Sequence, residues 1–189
     1  MTLEELWQLF PIVLKDYNPK WIEWYVEEEA QIRSALGDEN IVRIRHIGST
    51  SVPGLIAKPT VDILLEIIDR CDLSLFSAHL ESIGYLCEKK PENPPPHLMF
   101  MKGYTPDGFA ERVFHLHVRY QGDWNEPYFC AYLRSHPEVA KAYGQLKNKL
   151  KERYEHDRDR YTDAKSSFIE HYTKLAKGEI LQNPPHWDS

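Results

Sequence analysis

An α+β fold, with a mixed β-sheet flanked by helices and a helical C-terminal segment, is predicted by three observations. Short alternating or β-branched runs at 41–47, 60–68, 98–104 and 112–120 carry the period of strands. Between them lie segments with apolar residues at helical spacing, such as Leu73, Phe76 and Leu80. After Gly122 the helical period takes over as far as about residue 175. The 189 residues, 42% hydrophobic and 12% aromatic, suit one domain over residues 1–178. Its sheet core is expected at about 12–120 and its helical part at about 125–178, with a loose tail at 179–189.

Each element has a local reason. Thr2 with Glu5 three residues on makes a capping box for a helix over about 3–9, which Pro11 stops. Ile12–Lys15 is expected as a short strand. Asn18-Pro19 starts a helix in which Trp21, Tyr25, Glu28/Glu29, Ile32 and Leu36 share a stripe and Gly37 supplies the stop. Trp21 and Trp24 are expected in the core. The strand 41–47 puts Arg43 and Arg45 on one face and His46 on the other. In the strand 60–68, Asp62, Leu64 and Glu66 face one way and Ile63, Leu65 and Ile67 the other. A helix over 72–83 ends at Gly84, and 85–89 is a strand. The proline-rich stretch 91–96 cannot enter a sheet. Thr105-Pro106-Asp107-Gly108 turns a long hairpin between the strands at 98–104 and 112–120. Helices follow over 125–135, 137–155 and 161–175, with His136-Pro137 dividing the first two. The mixed charges of 147–160 read as a solvated helix surface.

Composition narrows the function. A formal charge of -6 argues against an extended nucleic-acid surface. Cys71, Cys87 and Cys130 form no CxxC pair and read as reduced thiols. With no signal peptide visible and no apolar run of membrane-spanning length, a soluble cytoplasmic protein is expected. Oligomeric state is not encoded in any recognisable pattern.

The stretch most suggestive of chemistry is 46–67. Gly48, Ser49 and Thr50 form a turn of small residues, which lets backbone N–H groups approach a phosphate. Asp62, about a dozen residues on, opens an apolar strand and is placed to hold a metal beside that phosphate. An ordinary turn followed by an Asp at a strand edge is the alternative. His115 and His117 share a strand face, a spacing by which two imidazoles bind one transition metal, with Asp62 as a third ligand if the strands are neighbours. They serve equally well as hydrogen-bonded residues lining a pocket, and His46 is a candidate for the same cleft. Lys58 in the loop, and Arg134 and Lys165 from the helical part, are cations suited to closing over a phosphate. For Lys165 a local pairing with Asp163 is the alternative.

Gly48-Ser49, twelve residues, then Asp62-Ile63 resembles the signature of the nucleotidyltransferase superfamily. The longer string Gly48–Leu55 with Ala57-Lys58-Pro59 and Asp62 is similar to the GrpB-like family, related to domains fused to dephospho-coenzyme A kinases. Tyr17–Trp21, His115–Val118, Leu133–Pro137 and Tyr161–Ile169 carry the same resemblance, which covers roughly residues 12–175. It implies a small mixed sheet with the Gly-Ser loop opening a short helix. It also implies Ser49 on nucleotide phosphates, acids holding two divalent metals, and a third acid from a later strand. This chain departs from that pattern. Leu64 occupies the second acid position, Glu66 lies about 13 Å along the strand from Asp62, and the His-Leu-His strand takes the place of the third acid. The resemblance therefore implies a protein that binds a nucleotide or phosphorylated small molecule with a divalent metal, Mg²⁺ or Mn²⁺ with Zn²⁺ as an alternative. Nucleotidyl transfer would then use Asp62 as the catalytic metal ligand. A non-catalytic nucleotide-binding module and a His/Asp metal-dependent hydrolase are the other two expectations.

Overall fold

The computed structural model describes Glu5 and residues 8–182. Thr2, Trp7 and Trp187 lie outside these residues, and so do the start of the expected 3–9 helix and most of the expected tail. The chain divides into two compact units, one of residues 15–123 and one holding the remainder.

The 15–123 unit is a five-stranded sheet with helices on one face. Its elements are α1 (Lys20–Leu36), β1 (Ile41–Ile47), β2 (Thr60–Ile67), α2 (Leu73–Ser82), β3 (Leu86–Lys89), β4 (Leu98–Thr105) and β5 (Gly108–Tyr120). The strand order is β1-β2-β5-β4-β3. Only β2 and β5 run parallel; the other neighbours are antiparallel, so the sheet is mixed. The expected strand at Ile12–Lys15 does not form. Lys15 makes a single bridge to Ala57, because too few residues there run alongside a partner.

Helix α1 begins where Asn18 Oδ1 accepts the Lys20 amide at 3.1 Å. Its stripe of Trp21, Trp24, Ile32 and Leu36 is buried. That stripe packs with Phe76 and Leu80 of α2 against Ile63, Leu65 and Ile67 of β2 and Phe114, Leu116 and Val118 of β5. Full burial of each such side chain is worth about 1.5–3 kcal/mol. The strand pattern therefore commits one sheet face to the core. The other face carries Asp62, His115 and His117 together with the buried Leu64 and Val113. Asp72 caps α2, its Oδ1 accepting from Ser74 N at 2.9 Å and Leu75 N at 3.1 Å. Asp72→Ala is expected to cost about 1 kcal/mol, read as a lower urea midpoint at unchanged slope.

The second unit is helical: α3 (Asn125–Ser135), α4 (Pro137–Tyr154), α5 (Arg158–Asp163) and α6 (Ser166–Gln182). Two expectations are corrected here. The final helix is broken at residues 164–165, and a separate short helix opens where the Asp157 carboxylate accepts the Arg160 amide at 3.1 Å. The helix then continues to Gln182, so residues 179–182 belong to it and not to a loose tail.

Candidate metal centre

The parallel pairing of β2 with β5 sets Asp62 beside His115, and Leu64 beside His117. Alternation turns Asp62, His115 and His117 to the same face. The loop before β2 stands over this point. Gly48 has φ 71° and ψ −176°, and a Cβ built there would meet Asp62 Oδ2 at 2.5 Å. Only a glycine lets the backbone pass so close to the carboxylate. Residues Ser49–Ser51 then form one turn of 3₁₀ helix, the short helix that the sequence resemblance implied. The Ser51 hydroxyl donates to the Gly48 carbonyl at 2.8 Å, and the Thr50 hydroxyl to the Thr60 carbonyl at 3.2 Å. The first bond closes the loop on itself and the second ties it to the first residue of β2.

Asp62 Oδ1 lies 3.3 Å from His115 Nδ1 and 3.4 Å from His117 Nε2. One ligand atom from each of the three residues falls within 4.8 Å of the others. Donors bound to one ion at about 2.1 Å stand about 3.0–3.4 Å apart, and the two separations from Asp62 Oδ1 fall in that range. The side chains are 28%, 11% and 23% exposed for Asp62, His115 and His117, which leaves the group open on one side. Burial works to raise the Asp62 pKa, but pairing with His115 and His117 outweighs it and holds the carboxyl well below the usual range. Burial pushes His115 down, reinforced by the His117 and Lys58 charges against the opposing pull of Asp62. A carboxylate beside a neutral imidazole is the state that metal ligation needs.

The other expected site residues fall in several places. Ser49 is half-buried in the loop, and Lys58 is half-buried and near enough for its charge to act on His115. Thr50 is 1% exposed and its hydroxyl is committed inside the loop, since it donates to Thr60 O and so accepts from His46 Nε2 at 2.9 Å. His46 does not join the group. It pairs with Ile63 on the helix-covered face and stacks on Tyr25 at 4.9 Å. Leu64 is 1% exposed, so the second acid position is filled by core. Glu66, also 1% exposed, faces Arg43 and Arg45 at 3.6 and 3.5 Å and accepts the Gly122 amide. It is structural charge apart from the Asp62 group. Arg134 and Lys165 belong to the helical unit. Arg134 is exposed on α3, and Lys165 sits in the break before α6 with Nζ 4.3 Å from the Tyr161 ring centre.

One residue of this neighbourhood escaped the sequence reading. Tyr104 Oη lies 2.7 Å from His115 Nε2, with the two ring planes within 9° of parallel. Its signal was Gly103, an isolated glycine inside an alternating strand, which marks a bulge.

Fold and site together define a mixed-sheet α+β protein with an Asp/His/His group on one face of its central parallel pair. A family profile described as GrpB protein matches residues 11–175. The chain belongs to the GrpB family. It is 33% identical over 175 residues to a UPF0157 protein of Halalkalibacterium halodurans, covering 87% of this chain and 82% of that one. It is 34% identical to the UPF0157 protein YqkA of Bacillus subtilis over 85% of this chain, and spans 46% of that relative's length. The crystal structure of the conserved protein GrpB from Enterococcus faecalis superposes with a TM-score of 0.77 at 29% identity, over 89% of this chain and 99% of that one. Among the described residues no helix is long and apolar enough to cross a membrane.

Proposed function

We propose that this GrpB-family chain binds one divalent transition metal through Asp62, His115 and His117, and holds a nucleotide or other phosphorylated small molecule beside it at the Gly48–Ser49 loop. The observation that carries this reading is the convergence of two imidazoles and a carboxylate within 4.8 Å. Two nitrogens and one oxygen favour Mn²⁺, Fe²⁺, Co²⁺ or Zn²⁺ over Mg²⁺, which prefers all-oxygen sites. Three protein ligands leave coordination positions for a phosphate oxygen or water. A bound metal supplies Lewis-acid activation there. Ser49 and Lys58 are the residues of this chain closest to hand for the phosphate: the first by its place in the loop beside Asp62, the second by its charge near His115. The burial of Leu64 removes the second carboxylate of a two-metal transferase, so the reading is a single-metal centre.

Thermal unfolding with added Mn²⁺ or Zn²⁺ tests this. The wild-type chain is expected to gain several degrees with either ion, and His117→Ala and Asp62→Ala to lose that gain. ATP is expected to add a further rise only when metal is present. The metal effect is expected to weaken as pH falls and protons compete with the ion for the ligand atoms. Equal response of wild type and His117→Ala would remove the metal centre. An ATP shift that ignores metal would replace it with a metal-free binding module.

A further inference from the structure

Resting on the metal centre proposed above, we infer that Tyr104 is a positioning residue. Its hydroxyl accepts the Nε2–H of His115 and so presents the lone pair of Nδ1 to the ion. Three independent features of the strand pair lead here.

The first is aim. On β4, Met99 and Met101 pair with His117 and His115, so regular alternation would give that face next to residue 103 and turn residue 104 away. The register breaks between Lys102 and Tyr104. Gly103 sits at φ 92°, and a Cβ there would collide with the Arg112 carbonyl oxygen. The irregularity re-aims Tyr104, which pairs with Phe109 and reaches back to His115. Bulges recur beside functional sites for this kind of redirection.

The second is the division of labour between the two ring nitrogens. Nε2 of His115 makes a hydrogen bond of 2.7 Å to Tyr104 Oη. Nδ1 faces Asp62 Oδ1 at 3.3 Å. Without an ion Nδ1–H donates to the carboxylate, the pairing that holds the Asp62 carboxyl ionised. With an ion bound the proton moves to Nε2, held by Tyr104, and Nδ1 turns its lone pair to the cation. His117 meets the same oxygen through Nε2, so the two imidazoles converge by different atoms. The third feature is that the two rings lie nearly parallel, 9° apart in plane with centroids 5.9 Å apart, which sets the plane in which Nδ1 points. Partners that hold the second nitrogen of a ligating histidine set its tautomer and raise metal affinity.

Tyr104→Phe keeps the ring and removes only the hydroxyl. Zn²⁺ titration is expected to show affinity lowered by about 10–100-fold, with the metal-free melting temperature close to wild type. Ring-nitrogen NMR of the Zn²⁺-loaded wild-type protein is expected to report His115 bound through Nδ1 with a proton on Nε2. In Tyr104→Phe the ring is expected to lose that single form. A purely structural tyrosine would leave the ring nitrogens unchanged. Unaltered Zn²⁺ affinity in Tyr104→Phe, or coordination of His115 through Nε2, overturns the role of Tyr104. If His117→Ala still abolishes binding, the metal centre itself survives that result. Absence of Zn²⁺ binding by the wild-type chain overturns both.

Discussion

Gly48→Ala is expected to damage stability and the site together. The residue occupies a backbone region that is essentially restricted to glycine, and forcing alanine into it costs about 1–3 kcal/mol. The added Cβ would also fall 2.5 Å from Asp62 Oδ2 and 3.0 Å from Asp62 Cβ. Asp62 is held in the middle of a paired strand, so the loop must give way. Its tethers through Ser51 and Thr50 then break or stretch. A total loss of about 3 kcal/mol is expected, read as a melting temperature about 6–12 °C lower. Metal-dependent stabilisation is expected to vanish in the same variant. A stable Gly48→Ala chain with normal Mn²⁺ response would show that the loop does not press on Asp62.

Lys102→Met is expected to be the most destabilising single change away from the site. Glu28 takes a place in the buried stripe of α1 at 3% exposure. Lys102 Nζ of β4 reaches both its carboxylate oxygens, at 2.8 and 3.1 Å, and lies 5.4 Å from the Tyr85 ring centre. Removing the ammonium leaves a buried carboxylate without the charge that pairs with it. The expected cost is about 3–5 kcal/mol. Replacing both partners, in Glu28→Met with Lys102→Met, is expected to recover most of it, since well-packed apolar pairs replace buried ion pairs at little cost. Urea unfolding of the two variants decides this: equal losses in single and double variants would mean that packing, not the uncompensated charge, sets the penalty.

Much of the sheet was legible because its residues alternate without ambiguity. Thr60–Ile67 and the His-Leu-His strand could take only one set of faces once one side was apolar. The spacing of His115 and His117, and the loop at Gly48, were readable for the same local reason. Strand adjacency was not readable. That Asp62 lies beside His115 follows from β5 joining β2 in parallel, and nothing within either strand encodes the neighbour. Tyr104 was hidden by the same kind of limit, because alternation assigns it to the wrong face unless the irregularity at Gly103 is known. The placing of His46 with Tyr25 depended on which sheet face the helices cover. The end of the chain misled for a local reason. The charged run over 147–160 contains Asp157, whose side chain caps a new helix, and a capping aspartate among many charges gives little contrast.

The parallel join of β2 to β5 also has a kinetic meaning. Asp62 and His117 are 55 positions apart along the chain, with α2, β3 and β4 between them. No local segment can bring them together, and closing so long a loop is slow compared with forming the β4–β5 hairpin. The two histidines are therefore in place as soon as the hairpin exists, while the carboxylate arrives only when the central strand docks. Assembly of the trio is therefore expected to report the pairing of β2 with β5 during folding.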